Sequence, residues 1–155
     1  MRISAPSTAG LTRTALAIPG GALLGIILQE AVWNLLNALV WDTDLYQALL
    51  IGPTSEGLLW ALAVSWSAGG ITAGLMSTLI AGHRAAGYIS GALLSGAAVL
   101  LIALAWPATG AVLLLALTPV LAAMVGAWAG QPLVVADRAR VKNSTLATLA
   151  AHGLD

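Results

Sequence analysis

The stretch LLWALAVSWSAGGITAGLMSTLIAG, residues 58–82, decides the fold class. It carries no charge and exceeds the about 20 apolar residues that a helix needs to cross a hydrocarbon layer of about 30 Å. The stretch after it, AAGYISGALLSGAAVLLIALAW at 85–106, is equally uncharged. Neither alternates apolar and polar residues with period two, which sets aside a membrane β-barrel. Upstream, 15–40 is a third apolar run, interrupted by Gln29, Glu30, Asn34 and Asn37. Downstream, 108–128 is a fourth, with Thr118-Pro119 reading as a kink near its middle. The expected architecture is a single all-α domain, an integral membrane bundle of four transmembrane helices at about 15–40, 58–82, 85–106 and 108–128. A polar tail at 131–155 follows.

Composition points the same way. Of 155 residues, 59% are hydrophobic and 8% charged, with a mean hydropathy of +0.94. Soluble domains carry about 25% charged residues, and the six basic and six acidic side chains here cannot coat a compact domain of this size. Such a balance excludes a soluble enzyme, a disordered chain and a nucleic-acid binder. With no cysteine in the chain, disulfides and thiolate chemistry are excluded too.

Turn signals divide the spans. Asp42-Thr43-Asp44 closes the first, and Gly52-Pro53-Thr54-Ser55-Glu56 opens the second, with Thr54 or Ser55 as N-cap. His83-Arg84 separates the second and third, Pro107-Ala108-Thr109-Gly110 makes a tight turn before the fourth, and Gln131-Pro132 ends it. In the tail, a turn or two of helix from Thr145, capped by Asn143 or Ser144, is the most structure expected.

Orientation follows from charge. The six basic residues, Arg2, Arg13, Arg84, Arg138, Arg140 and Lys142, all fall on one side of a four-span path. The positive-inside rule makes that side cytoplasmic, so both termini face in (N-in/C-in). Trp41, Trp60 and Trp106 then land at the outer interface, Tyr88 and Trp128 at the inner one. Each span also carries small residues four apart: Gly21/Gly25, Gly70/Gly74, Gly87/Gly91 and Gly126/Gly130. In lipid such GxxxG pairs let helix backbones approach, within one bundle or between copies.

The feature that calls for a reason is the polar stripe of the first span. Glu30, Asn34 and Asn37 recur at i, i+4 and i+7 and share one helix face, with Gln29 at its edge. An acid at that depth costs at least about 2.5 kcal/mol on insertion scales and normally faces a bundle interior or a wet cavity. Two readings follow. Glu30 is a proton or cation site with amide ligands from the asparagines, or it is structural, hydrogen-bonded to Asn34 or to Ser65, Ser67 or Thr72 on the second span.

Other candidates are thinner. Asp42, Asp44 and Glu56 lack the remaining ligands of a calcium loop, and 45–51 reads as a short interfacial helix. Lone histidines at His83 and His152 make no metal or haem site. No Ser/His/Asp set, His-Glu-x-x-His or nucleophile elbow occurs in the sequence. No catalytic residue, metal or cofactor is therefore expected. The expected function is that of a small multi-pass protein of the bacterial inner membrane, a non-catalytic subunit or accessory factor of a membrane assembly. Its partners would be lipid and a membrane protein or a second copy. The alternative is a small homo-oligomeric transporter or channel with a proton or cation site at Glu30.

Overall fold

The computed structural model of the chain describes residues 8–40, 56–105 and 114–151. Among them are four long helices: α1 (Thr8–Val40), α2 (Glu56–Ala81), α3 (Arg84–Ala105) and α4 (Thr118–Ala151). Each is long and apolar enough to cross a membrane. The segment with Asp42, Asp44 and the expected interfacial helix, the 107–110 turn, and His152 lie outside the described residues.

Runs of Ala and Leu set the helices, and punctuation sets their ends. Between α2 and α3 the chain reverses at Gly82, whose φ of +80° is the left-handed conformation that a glycine just past a helix supplies without steric cost. Its N–H donates to Thr78 O at 2.8 Å.

Helices α1 and α4 differ from the sequence reading. Helix α1 begins at Thr8 and carries Pro19 inside it. Of the expected span at 108–128, residues 114–128 are described: 114–115 are helical, 116–117 turn, and the helix resumes at Thr118, so the path breaks at the expected kink. A turn at 114–117 is closed by Leu117 N–H to Leu114 O at 3.1 Å, and α4 starts at Thr118. Pro119 sits in the first turn, where its missing N–H removes no helical bond. The Thr118 hydroxyl donates to Leu115 O at 2.8 Å, the carbonyl that a proline four residues on leaves free. The N–H of Val120, also in the first turn, donates to Ser95 Oγ on α3 at 3.0 Å, so a neighbouring helix supplies the cap. At the far end Pro132 does not terminate the helix. It lies inside α4, which continues to Ala151, because 133–151 holds no glycine and is rich in Ala, Leu and Val. The segment from Thr145 is thus part of α4 and not a separately capped turn.

Helix α2 packs against each of the other three. Gly21 of α1 faces Ser77, and Gly25 faces Gly69 and Ala73, so α1 runs antiparallel to α2. Gly70 faces Pro119, Gly74 faces Ala123 and Gly130 faces Leu75, so α4 runs parallel to it. Gly87 of α3 faces Gly74 and Thr78, giving an up-down-up-down bundle. Contacts of Arg13 with Ile80 and of Arg138 with Gly82 bring the start of α1 and the body of α4 to the end that carries the α2–α3 turn.

Two regions of core result. Away from the turn, Trp33, Leu58, Leu62, Trp66, Ile102 and Ala116 form the larger apolar cluster. Nearer the turn the buried apolar cluster is small, Ala22, Ala73 and Leu94. There the buried hydroxyls of Ser77 and Ser90 donate to α1 carbonyls, Ala17 O at 3.0 Å and Ile18 O at 3.2 Å.

Candidate functional site

Two places gather polar chemistry. The first is the stripe on α1. A helix places residues four apart on one face, and Asn34 and Glu30 are both exposed there. Gln29 and Asn37, both to one side of that line, are half-buried. Asn34 Nδ2 donates to the main-chain oxygen of Glu30 at 2.9 Å, a bond within the helix that leaves the stripe facing outward. Ser65, one of the hydroxyls expected near Glu30, instead donates to Leu62 O of its own helix at 3.1 Å.

Beside the stripe, α1 and α3 diverge over α2 and leave a groove floored by Trp66. Its two adjoining cavities measure about 230 Å³, bordered by Ile26, Gln29, Leu94 and Leu101, and about 80 Å³, bordered by Glu30, Trp33 and Ser65. Most of the wall is apolar, and Gln29, Glu30 and Ser65 supply its polar side chains. By the rise of 1.5 Å per residue, this level lies about 12 Å along α2 from Leu58, on the side of the helix middle away from the α2–α3 turn. Glu30 is exposed on the surface of the bundle, and not buried in its interior.

The second place is the end of the bundle at the turn. Arg13 donates through Nε to Ile80 O, and Arg138 through Nη2 to Gly82 O at 2.9 Å. Both guanidinium groups thus hold carbonyls at the C-terminal end of α2, where a helix leaves acceptors unsatisfied and its dipole favours cations. The exposed His83 shares a hydrogen bond with the Thr14 hydroxyl, 3.0 Å from its Nε2. Among the described residues no group of three or more His, Asp or Glu stands close enough to hold a metal ion.

The glycines singled out in sequence all stand against other helices. A methyl group at Gly25 would lie 2.6 Å from Gly69 O, and one at Gly87 2.5 Å from Gly74 O. At Gly70, Gly74 and Gly126 it would run into the backbone of Pro119, Ala123 and Ile71, at Gly21 into the Ser77 hydroxyl and at Gly91 into Ala123. Gly130 has the loosest of these contacts, 3.2 Å to Leu75. Sequence reasoning missed Gly69, where an added methyl would lie 2.8 Å from Gly25 O. The signal was available. Adjacent glycines point about 100° apart on a helix, so Gly69 and Gly70 open two faces of α2 to two partners. Sequence reasoning also missed that Arg13 and Arg138 hold carbonyls at the end of α2, and passed over Ser77, Ser90 and Ser95 as interhelical donors and acceptors.

Comparison with known protein families, with characterised proteins and with solved structures finds no match to this chain.

Proposed function

We propose that the chain is a small multi-pass protein of the bacterial inner membrane, with both termini in the cytoplasm. In this reading it is a non-catalytic subunit or accessory factor that meets a membrane partner along α1. Membrane insertion is supported by four apolar helices of spanning length. Orientation is supported by the collection of Arg13, Arg84 and Arg138 at the turn end. Small residues facing neighbouring backbones support helix association through GxxxG-type packing, the interaction available to helices that gain nothing from burying apolar surface in lipid.

One observation carries the assembly reading: Glu30 and Asn34 are exposed on a helix long and apolar enough to span a membrane. An acidic residue on the lipid-facing side of a span costs at least about 2.5 kcal/mol, and a partner helix laid over that face takes it out of contact with acyl chains. Helix α1 is free to take one, since it flanks α2 with its opposite face outward. The second reading rests on the same exposure. Two copies meeting along α1 bring two Glu30 carboxyls together, which is the arrangement a proton or cation carrier of this size requires.

Because the chain has no cysteine, single substitutions test both readings cleanly. Asn34→Cys, placed in native membranes, is expected to cross-link to a specific membrane protein, while Leu93→Cys on the exposed face of α3 does not. A disulfide-linked homodimer together with liposome proton flux that disappears in Glu30→Gln establishes the second reading. Equal, unspecific labelling at both positions overturns both.

A further inference from the structure

A cavity of about 270 Å³ opens at the turn end of the bundle, between the start of α1, the end of α2 and the middle of α4. Arg13, Asp137 and Arg138 border it with Leu79, Leu133 and Val134. We propose that this cavity binds the phosphate of an anionic phospholipid. The inference rests on the membrane reading and is independent of any accessory role. It is also independent of which way the bundle faces, because both leaflets place phosphates at the level of helix ends.

Four observations converge on it. Each guanidinium is anchored by one of its five N–H groups, Arg13 on Ile80 O and Arg138 on Gly82 O. The planar fork is thereby pre-positioned, with donors left over for an oxyanion, and arginine forks match phosphate oxygens in geometry. Gly82 is part of the construction, because a Cβ there would stand 2.7 Å from Arg138 Nη2. A side chain at position 82 would push the end of Arg138 aside and strain a backbone held at a φ of +80°. Outside the lining, Arg84 at the start of α3 adds a third positive charge to this end of the bundle, its Nε buried with no hydrogen-bond partner. Finally, the rest of the wall is apolar, Leu79, Leu133 and Val134, which suits the methylenes next to a lipid headgroup. Orientation alone would need positive charges at this end; it would not need them anchored around a concavity.

Asp137 is the feature that makes the site testable. Its carboxylate sets one negative charge against the two arginines of the wall, so it weakens an anion held there. A site built for a cation would instead use it as the ligand.

Purified protein in neutral detergent is titrated with phosphatidylglycerol, with phosphatidylcholine and with inorganic phosphate. Bound lipid is counted by native mass spectrometry and stability is read by thermal unfolding. Phosphatidylglycerol is expected to bind and raise the midpoint, with no comparable shift from phosphatidylcholine. Arg13→Gln and Arg138→Gln each lower the affinity about fivefold, the effect of one arginine at a membrane surface. Asp137→Asn raises it without touching either arginine anchor, which keeps the test decisive even if the arginine variants unfold. Equal binding of the two lipids, or weaker binding of phosphatidylglycerol in Asp137→Asn, overturns the proposal. Saturation by inorganic phosphate at the same concentrations transfers the site to a free anion and overturns the lipid assignment. Failure of the membrane reading shows itself separately, as a chain that stays monomeric in buffer without detergent.

Discussion

Near the α2–α3 turn the helices of this bundle meet glycine against backbone, while at the opposite end Trp33 and Trp66 fill the space between them. In the first region Gly25 approaches Gly69 and Gly74 approaches Ala123, with serine hydroxyls tying α2 and α3 to α1. In the second, two buried tryptophans interdigitate with Leu58, Leu62 and Ile102. The difference separates two ways of associating helices whose outer surfaces are apolar. One removes side chains so that backbones touch and hydrogen bonds form; the other fills a wider gap with large side chains at close-packed density. The two should respond to opposite changes, one to added atoms and the other to lost ones.

Truncation at the tryptophan end gives the largest effect. Trp66 is 3% exposed and floors the groove beside Glu30. Trp66→Ala should cost about 3–5 kcal/mol of unfolding free energy, the range for deleting a large buried aromatic. The measurement is a reversible unfolding titration in mixed detergent micelles. A loss below about 1 kcal/mol would mean that lipid or detergent refills the gap as well as the indole does. The contrast between the two regions would then be one of shape alone.

Addition at the turn end comes next. Gly74→Ala and Gly126→Ala each insert one methyl into the backbone of a facing helix, at Ala123 and Ile71. Overpacking of this kind costs about 1–3 kcal/mol. The same titration reads it, and the two changes lie on opposite sides of one α2–α4 contact. The double variant should therefore cost less than the sum of the singles, since the first methyl already pushes the helices apart. Strict additivity would show that the two contacts respond independently.

How far the sequence reveals this arrangement differs between the regions. The apolar runs at 58–82 and 85–106 are readable because α2 and α3 are uninterrupted and end at one unmistakable punctuation, Gly82-His83. The glycines are readable as pairs because one helix face repeats about every four residues. Which helix each face meets is not readable, because that depends on the crossing of chains and not on spacing. The start of α4 shows why. Its sequence marks a break at Thr118-Pro119, but not that Ser95 on another helix takes the Val120 N–H there. The outward placement of Glu30 is hidden for the same reason. Periodicity joins it to Asn34, but only the packing of α1 on α2 decides whether the shared face is buried or exposed.

The smallest expected effect is the one that ties the contrast to packing and not to composition. Gly20 and Gly96 lie in helices like the others, yet a methyl at either would meet no atom within 4 Å. Alanine removes the backbone freedom that glycine loses on folding and is the better helix former by about 1 kcal/mol in water. Gly20→Ala and Gly96→Ala should thus leave stability within about 0.5 kcal/mol of the parent or raise it slightly. If Gly96→Ala destabilises the purified chain as much as Gly74→Ala, glycine matters here for local helix bending and not for interhelical approach. If it is neutral in the purified chain yet weakens the protein in its native membrane, the exposed face of α3 around Gly96 is itself covered by a partner. In that case the glycine-to-backbone mode of association extends beyond the turn end of this bundle.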